Sequence, residues 1–272
     1  MSFGVPLGIA GVGLIGGSIA LRARERGLEV IGFDRREESA ALVDRRVDSL
    51  QALANECRTI VLALPVDATL LAIDAVRSRV HLTLELVMDV ASVKVPVAER
   101  AGGWKIFAPT HPIAGAEQSG PSAARSDLFV DRIWTYVPTD AKRDAVVRAF
   151  IDTMGARPFP IDAQAHDRAL ALTSHLPQVV VGALAAMLQE RKLSPELAGS
   201  GLASTLRLAG SPWDLWEPIL KANAGAIAPA LRDLSEKLQG VAEDLEGGTL
   251  LRTGSYFKSA HEAYEAFVKP RR

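Results

Sequence analysis

The sequence is short of several things, and each shortage narrows what the protein can be. Cys57 is the only cysteine among 272 residues. That excludes an intrachain disulfide framework and a multi-cysteine metal site, and it fits a reducing compartment. Neither sign of charge is in excess: 31 Lys and Arg stand against 32 Asp and Glu, for a formal net charge of −1. A basic field that would draw nucleic acid or an anionic membrane surface is therefore missing, and neither is expected as a partner. Long apolar runs are also lacking. The richest stretch, Val179 to Leu188, falls short of the roughly 18 residues that a membrane span needs and reads as a buried helix. The opening residues, Met1-Ser2-Phe3-Gly4-Val5-Pro6, have neither the basic n-region nor the apolar h-region of a secretion signal. The expectation is a cytoplasmic protein without a metal.

What is present is the composition of an ordinary globular protein, 48% hydrophobic and 23% charged, in a chain long enough for two modest cores. Short β-like runs occur at Pro6–Ala10, Leu28–Phe33, Thr59–Leu64, Leu84–Val90, Lys105–Ala108, Ile133–Val137 and Arg157–Ile161. Amphipathic stretches such as Ile15–Arg26, Asp67–Val80 and Ala141–Met154 separate them. Strands with little polar alternation, spaced by helices, indicate a parallel sheet covered on both faces. Past Asp162 the strand signals stop. Alanine and leucine recur at helical spacing through Ala163–Arg191, Pro195–Leu208, Asp214–Gly240 and Ser255–Val268, with a break at Gly247-Gly248. The reading is an α/β Rossmann domain with a mostly parallel, doubly wound sheet over residues 1–162, followed by an all-α domain over 163–272. The helix from Thr173 to Leu188 is apolar on nearly all sides and must be buried. A homodimer through the helical domain buries it most simply; a central position in a monomeric bundle is the alternative.

Gly11-Val12-Gly13-Leu14-Ile15-Gly16 follows the first strand and opens the first helix. Gly11 permits the tight turn, Gly13 lets backbone approach a pyrophosphate, and Gly16 lets helix pack closely on strand. The helix start, at Leu14 and Ile15, offers free N–H groups to the phosphates. Asp34 lies 18 residues past Gly16, at the end of the second strand, where a carboxylate accepts hydrogen bonds from the adenosine ribose. Its charge repels a 2′-phosphate and favours NAD, whereas Arg35 and Arg36 could pair with that phosphate, so NADP stays open. Leu64 and Pro65, closing the third strand, are counted with the cofactor site.

Two further segments, Asp89-Val90-Ala91-Ser92-Val93-Lys94 and Pro109-Thr110-His111-Pro112-Ile113-Ala114-Gly115, fall at the carboxyl edge of the sheet, where ligands bind in this architecture. His111 there can serve as a general base. Ser92 could hold that histidine, the substrate or the cofactor. Pro177 lies inside a helical stretch, where it removes an N–H and leaves the Thr173 carbonyl without its usual partner. His175 and Gln178, three apart, share a face. A kink with polar groups on one face of an apolar helix suggests a cavity wall.

With these residues in view, the chain resembles the prephenate/arogenate dehydrogenase family of tyrosine biosynthesis. The matching segments are Gly11 to Ser18, Asp89 to Lys94, His111 to Gly120, Ser174-His175-Leu176-Pro177 and Arg207 to Ser211, with Trp216 beyond. The resemblance implies a Rossmann domain followed by a helical dimerisation domain, and oxidative decarboxylation of a cyclohexadienol with hydride transfer to a nicotinamide. It implies that His111 takes the hydroxyl proton, that Ser92 orients the histidine or the hydroxyl, and that Arg207 pairs with a substrate carboxylate. Glu117, His175, Gln178 and Trp216 fall on the substrate side. Two departures stand out: Gln178 occupies a position where many members have a second histidine, and Ala116 one where many have threonine or serine. Both leave the choice between prephenate and arogenate open. A β-hydroxyacid dehydrogenase or an imine reductase is the alternative within enzymes, though the stretch from Ala163 to Met187 offers no lysine for the former. A non-catalytic NAD-sensing protein is the alternative outside them.

Overall fold

A computed structural model describes residues 3–78, 83–115, 118 and 120–269. The chain divides into two compact units, Met1–Ala224 and Gly225–Arg272.

The first unit is built around a parallel sheet of β1 (Leu7–Ala10), β2 (Val30–Phe33), β3 (Arg45–Arg46), β4 (Thr59–Leu62), β5 (Leu86–Asp89) and β6 (Phe107–Ala108). The order is β3-β2-β1-β4-β5-β6, the Rossmann arrangement that the alternation of strands and helices predicts. The helices α1 (Leu14–Glu25), α2 (Leu50–Glu56), α3 (Val66–Arg77) and α4 (Val95–Arg100) follow β1, β3, β4 and β5. The strands are apolar on both sides because both faces are covered. On one face Ile9 and Met88 meet Ile19, Trp134 and Phe150. On the other, Ile60 and Val87 meet Leu53, Ile73 and Val97.

The strands predicted at Ile133 and Arg157 do not extend this sheet. They form a second sheet, in which β7 (Thr110–Pro112) runs antiparallel to β8 (Ile133–Tyr136) and β8 parallel to β9 (Arg157–Pro160). The reason lies at Pro109. Proline has no N–H to continue a ladder, so β6 stops at Ala108 and the chain turns into β7, which carries His111. Between β8 and β9 runs α5 (Ala141–Thr153), whose first turn is capped by Asp140, accepting from the Arg143 N–H at 3.0 Å.

The helical stretch opens at Asp162, whose carboxylate accepts from the Ala165 N–H at 2.8 Å. Then come α6 (Ala163–Leu170), a π-helical turn at Ala171–His175, and α7 (Leu176–Glu190). The kink expected from Pro177 thus takes the form of one wide turn just before it, a feature often placed at functional sites. The predicted helix Pro195–Leu208 is α8 (Ser200–Leu206) between two short 3₁₀ turns, Pro195–Leu197 and Arg207–Gly210. The predicted run Asp214–Gly240 is broken at Asn223 into α9 (Trp213–Ala222) and α10 (Ala224–Glu246).

Within one chain Val181 is the buried residue of α7, in keeping with the expectation that a second copy covers the rest. One expectation about this helix needs correction: it extends well beyond its richest run. Ala163–Glu190 spans 28 residues, with mean hydropathy 1.5 over its most apolar window, of which 17% is buried. By length and composition it could cross a membrane. It carries His166, Asp167 and His175, however, and all three are buried in hydrogen bonds within the protein.

In the second unit, α10 is followed by α11 (Leu251–Phe267). Gly248, at φ +69°, makes the turn that the Gly247-Gly248 pair predicts. Asp244 ties the two helices, accepting from Thr253 N–H and Arg252 Nε at 2.8 Å each.

Candidate active site

Strand register assembles the site. Ala10 lies opposite Phe33 on one side and Leu62 on the other, and Leu62 lies opposite Asp89. The residues that follow β1, β2, β4 and β5 therefore leave the sheet along one edge, where strand order reverses between β1 and β4.

Gly11 sits at φ +90°, and a Cβ on it would lie 2.3 Å from the Ala63 carbonyl oxygen. A Cβ on Gly16 would lie 1.9 Å from the Gly11 carbonyl oxygen. These two glycines are demanded by the fold. Gly13 is different: among the described residues a Cβ there meets Arg36 Nη2 at 3.2 Å and nothing else nearby. The space above it is the open cradle that a pyrophosphate requires, so the turn fits a dinucleotide. Leu14 and Ile15, half-buried, begin α1 here, Leu64 packs beside Gly11, and Pro65 precedes α3.

Asp34 is already engaged. Its Oδ2 accepts the Val12 N–H at 2.7 Å, and its Oδ1 the Arg36 N–H at 2.8 Å. The Arg36 guanidinium contributes two more contacts at 3.2 Å. Burial pushes the Asp34 carboxyl up, but the hydrogen bonds from Arg36 and Val12 outweigh it and hold the carboxyl below its ordinary range. Four donors occupy the roughly four lone-pair sites of a carboxylate. Any further donor to Asp34 competes with the Arg36 guanidinium, whose side chain is 46% exposed. Arg36, not Arg35, is the cation that leans on the turn.

Below the other end of the edge lies a buried ion pair. Lys94 and Asp89 are both fully buried and in contact. Lys94 Nζ also donates to the Thr110 carbonyl at 2.7 Å, and Asp89 Oδ1 accepts the Thr110 N–H at 3.0 Å. Burial pushes the Asp89 carboxyl up and the Lys94 ammonium down, and their mutual attraction opposes both. The pair pins Thr110, and through it the next residue, His111. His111 is half-buried, and its Nδ1 lies 3.0 Å from His166 Nε2. His166 Nδ1 in turn lies 2.7 Å from Asp167 Oδ1. Burial first, then the neighbouring His166, Lys94 and His175, push the His111 imidazole well below the ordinary histidine value. Ser92 sits half-buried on the turn between Asp89 and Lys94. Among the described residues the partner of His111 is His166, not Ser92.

His175 ends the π-helical turn, and its Nδ1 meets Asn223 Nδ2 at 3.1 Å. The Asn223 amide also donates to the Asp167 carbonyl at 2.8 Å. Because the amide nitrogen is a donor, His175 Nδ1 accepts and Nε2 carries the proton. Burial pushes His175 down to about 4, which keeps it neutral. Its ring meets Trp216 edge-on at 6.0 Å. Among the described residues, neither His175 Nε2 nor Trp216 Nε1 has a hydrogen-bond partner, although both atoms are buried. Buried donors of this kind ordinarily have an acceptor. Gln178 Nε2 donates to the Leu208 carbonyl at 2.9 Å, so it holds the turn that begins at Arg207, which is itself exposed. Glu117 and Ala116 lie outside the described residues.

Sequence reasoning missed Asp89 and Lys94 as an anchor, and His166, Asp167 and Asn223 altogether. A signal was there for one pair: His166-Asp167 is a polar step four residues into an alanine-rich helix.

A glycine-built phosphate turn at the switch point of a parallel sheet, with a desolvated imidazole just past the carboxyl end of its last strand, defines a nucleotide-dependent dehydrogenase. The comparisons with known proteins narrow this. The prephenate dehydrogenase nucleotide-binding domain matches residues 18–158, and the prephenate dehydrogenase dimerization domain matches residues 162–258. The cyclohexadienyl dehydrogenase of Zymomonas mobilis is 31% identical over 281 residues, covering 94% of each chain. The crystal structure of Synechocystis arogenate dehydrogenase superposes with a TM-score of 0.81 at 28% identity, over 98% of this chain and 100% of that one. That of Aquifex aeolicus prephenate dehydrogenase, holding hydroxyphenyl propionate and NAD+, shares the fold with a TM-score of 0.85 at 24% identity, over 96% and 97% of the two chains. The chain belongs to the prephenate dehydrogenase family. Membership disfavours the β-hydroxyacid dehydrogenase, imine reductase and sensor readings.

Proposed function

We propose that this protein oxidatively decarboxylates prephenate and arogenate, using NAD+, as a cytoplasmic homodimer. Residues 1–162 hold the cofactor, and residues 163–272 pair the subunits and help bind the substrate. The observation that carries the reading is His111, a desolvated imidazole on β7, just past the carboxyl end of β6 in the sheet that carries the cofactor turn. Gly11, Gly13, Gly16 and the start of α1 would hold the pyrophosphate, and Asp34 the ribose, its charge repelling a 2′-phosphate. Bound NAD+ supplies the hydride acceptor.

His111 takes the proton of the ring hydroxyl as the C–H bond on that carbon breaks. The ring carboxylate then leaves as carbon dioxide, its bonding pair makes the ring aromatic, and the proton returns to the phenolate oxygen. Ser92 orients the hydroxyl. Arg207 pairs with a substrate carboxylate, where its planar fork suits two-point binding, and Gln178 holds the turn that carries it. The N–H groups of His175 and Trp216 await an oxygen of the substrate. Gln178 is neutral, so it sets no charge preference between a keto acid and an amino acid, and both are substrates. Pairing through the dimerization-domain match covers the apolar faces of α7. Cys57, buried and pushed up to about 12 by desolvation, is an inert thiol suited to a reducing compartment.

The test is reduction of NAD+ and NADP+ by purified protein with prephenate and with arogenate. Reduction of NAD+ with both substrates is expected; no reduction in any of the four combinations overturns the reading.

A further inference from the structure

We propose that His166 and Asp167 are positioning residues for His111. Their hydrogen-bonded chain fixes His111 as the tautomer with its proton on Nδ1, so that Nε2 keeps the lone pair that accepts the substrate proton. The inference rests on His111 acting as the base in the reaction proposed above.

Asp167 Oδ1 receives the Lys94 N–H at 2.7 Å and Oδ2 the Val95 N–H at 2.8 Å. Backbone N–H groups only donate, so both oxygens are acceptors, and the 2.7 Å contact to His166 Nδ1 is accepted as well. His166 therefore carries its proton on Nδ1. In a neutral imidazole the other nitrogen is then an acceptor. The atom 3.0 Å from His166 Nε2 is His111 Nδ1, which must donate. The remaining nitrogen of His111, Nε2, is left bare.

Solvent does not compete for these bonds, because His166 is 0% and Asp167 3% exposed. The backbone is held too: Asn223 donates to the Asp167 carbonyl, and the Lys94–Asp89 pair grips Thr110 from the other side. When His111 takes a proton, its Nδ1–H stays bonded to His166, and the carboxylate of Asp167 lies one ring away to balance the new charge. The ionisable groups that face His111 are His166 and Asp167 from α6, Lys94 and Asp89 from β5 and the turn after it, and His175 from the π-helical turn. A histidine ring fixed by a second group in one tautomer is how a catalytic base is kept ready. Here the fixing group is another histidine.

The test is a long-range ¹H–¹⁵N spectrum of imidazole nitrogens in uniformly labelled full-length protein, with the His111 signals assigned by their loss in His111→Asn. A protonated Nδ1 and a bare Nε2 on His111 are expected. A proton on Nε2 overturns the proposal and leaves the proposed function standing if NAD+ is still reduced. His166→Phe keeps the ring shape and removes both hydrogen bonds. Its kcat should fall within the roughly 10²–10⁴-fold range that a general base supplies, with KM and NAD+ affinity little changed and the acidic limb of the pH profile shifted. His166→Gln, whose amide oxygen can accept from His111 Nδ1, should recover most of the loss. Equal losses in Phe and Gln, or an unmoved pH profile in Phe, contradict the positioning role. If His166→Phe does not fold, the wild-type spectrum alone decides.

Discussion

Replacing Gly16 and Gly13 by alanine in turn separates what the fold requires of the glycine turn from what the cofactor requires. In Gly16→Ala the new Cβ stands 1.9 Å from the Gly11 carbonyl oxygen, 2.9 Å from Ile9 Cγ2 and 3.1 Å from Ala63 Cβ. The nearest of these is backbone and cannot rotate away. Alanine in a helix gains about 1 kcal/mol over glycine, whereas overpacking a well-packed site costs about 1–3 kcal/mol and occasionally more. With three neighbours touched at once the cost lies at the upper end, for a net loss of about 2 kcal/mol. At about 2–4 °C per kcal/mol for a domain of this size, Tm should fall by about 4–8 °C. In Gly13→Ala the Cβ meets the mobile guanidinium of Arg36 at 3.2 Å, so stability should stay within about 0.5 kcal/mol of wild type. The same methyl fills the pyrophosphate cradle, so NAD+ should no longer raise Tm as mass action otherwise requires. Thermal melts of the three proteins, with and without NAD+, decide it. A Gly16→Ala protein that melts at or above wild type, or a Gly13→Ala protein that keeps the full rise with NAD+, would refute the reasoning.

The remaining predictions concern charge. His111 and His175 are both held below the ordinary histidine value of 6.5, His175 at about 4. Between those values the unfolded chain binds protons that the folded chain refuses, so stability falls as pH drops from about 6.5 towards about 4. Melts across that window should show the decline, with a shallower slope in His175→Gln; equal slopes would contradict it. For the same reason kcat/KM should be flat near neutrality and decline only below pH 6.5; a decline centred at or above that value would show that His111 is not desolvated. Arg207→Lys keeps the charge but loses the fork, and should raise KM for prephenate by roughly 10-fold, the equivalent of about 1.4 kcal/mol, while NAD+ affinity is unchanged. Steady-state kinetics at saturating NAD+ test this, and an unchanged KM removes Arg207 from carboxylate binding.

Much of the fold was legible because parallel strands buried on both faces leave continuous apolar runs, as at Thr59–Leu62 and Leu86–Asp89, and because glycine, proline and aspartate mark their ends. Two-residue strands leave no such trace: Arg45–Arg46 joins the sheet without an apolar pattern, and Pro109 diverts the chain into a second sheet that only tertiary packing reveals. The cofactor turn was readable residue by residue, since each glycine answers a local geometric demand. His111 was readable from its place shortly after the end of β6. Its supports were not, because Lys94, Asp89, His166 and Asn223 converge from distant parts of the sequence, and nothing local distinguishes a lysine at 0% exposure from a solvated one. The degree to which Arg36 occupies Asp34 was also hidden, for it depends on rotamers and not on spacing.

The most direct test of the account is the stoichiometry of the reaction in wild type and in His111→Asn. With NAD+ and prephenate, wild-type protein should release carbon dioxide and reduced cofactor one for one. His111→Asn should bind NAD+ with unchanged affinity and lose both products together, by about 10²–10⁴-fold in kcat. Reduced cofactor without carbon dioxide, or a His111→Asn protein that turns over at the wild-type rate, would contradict it.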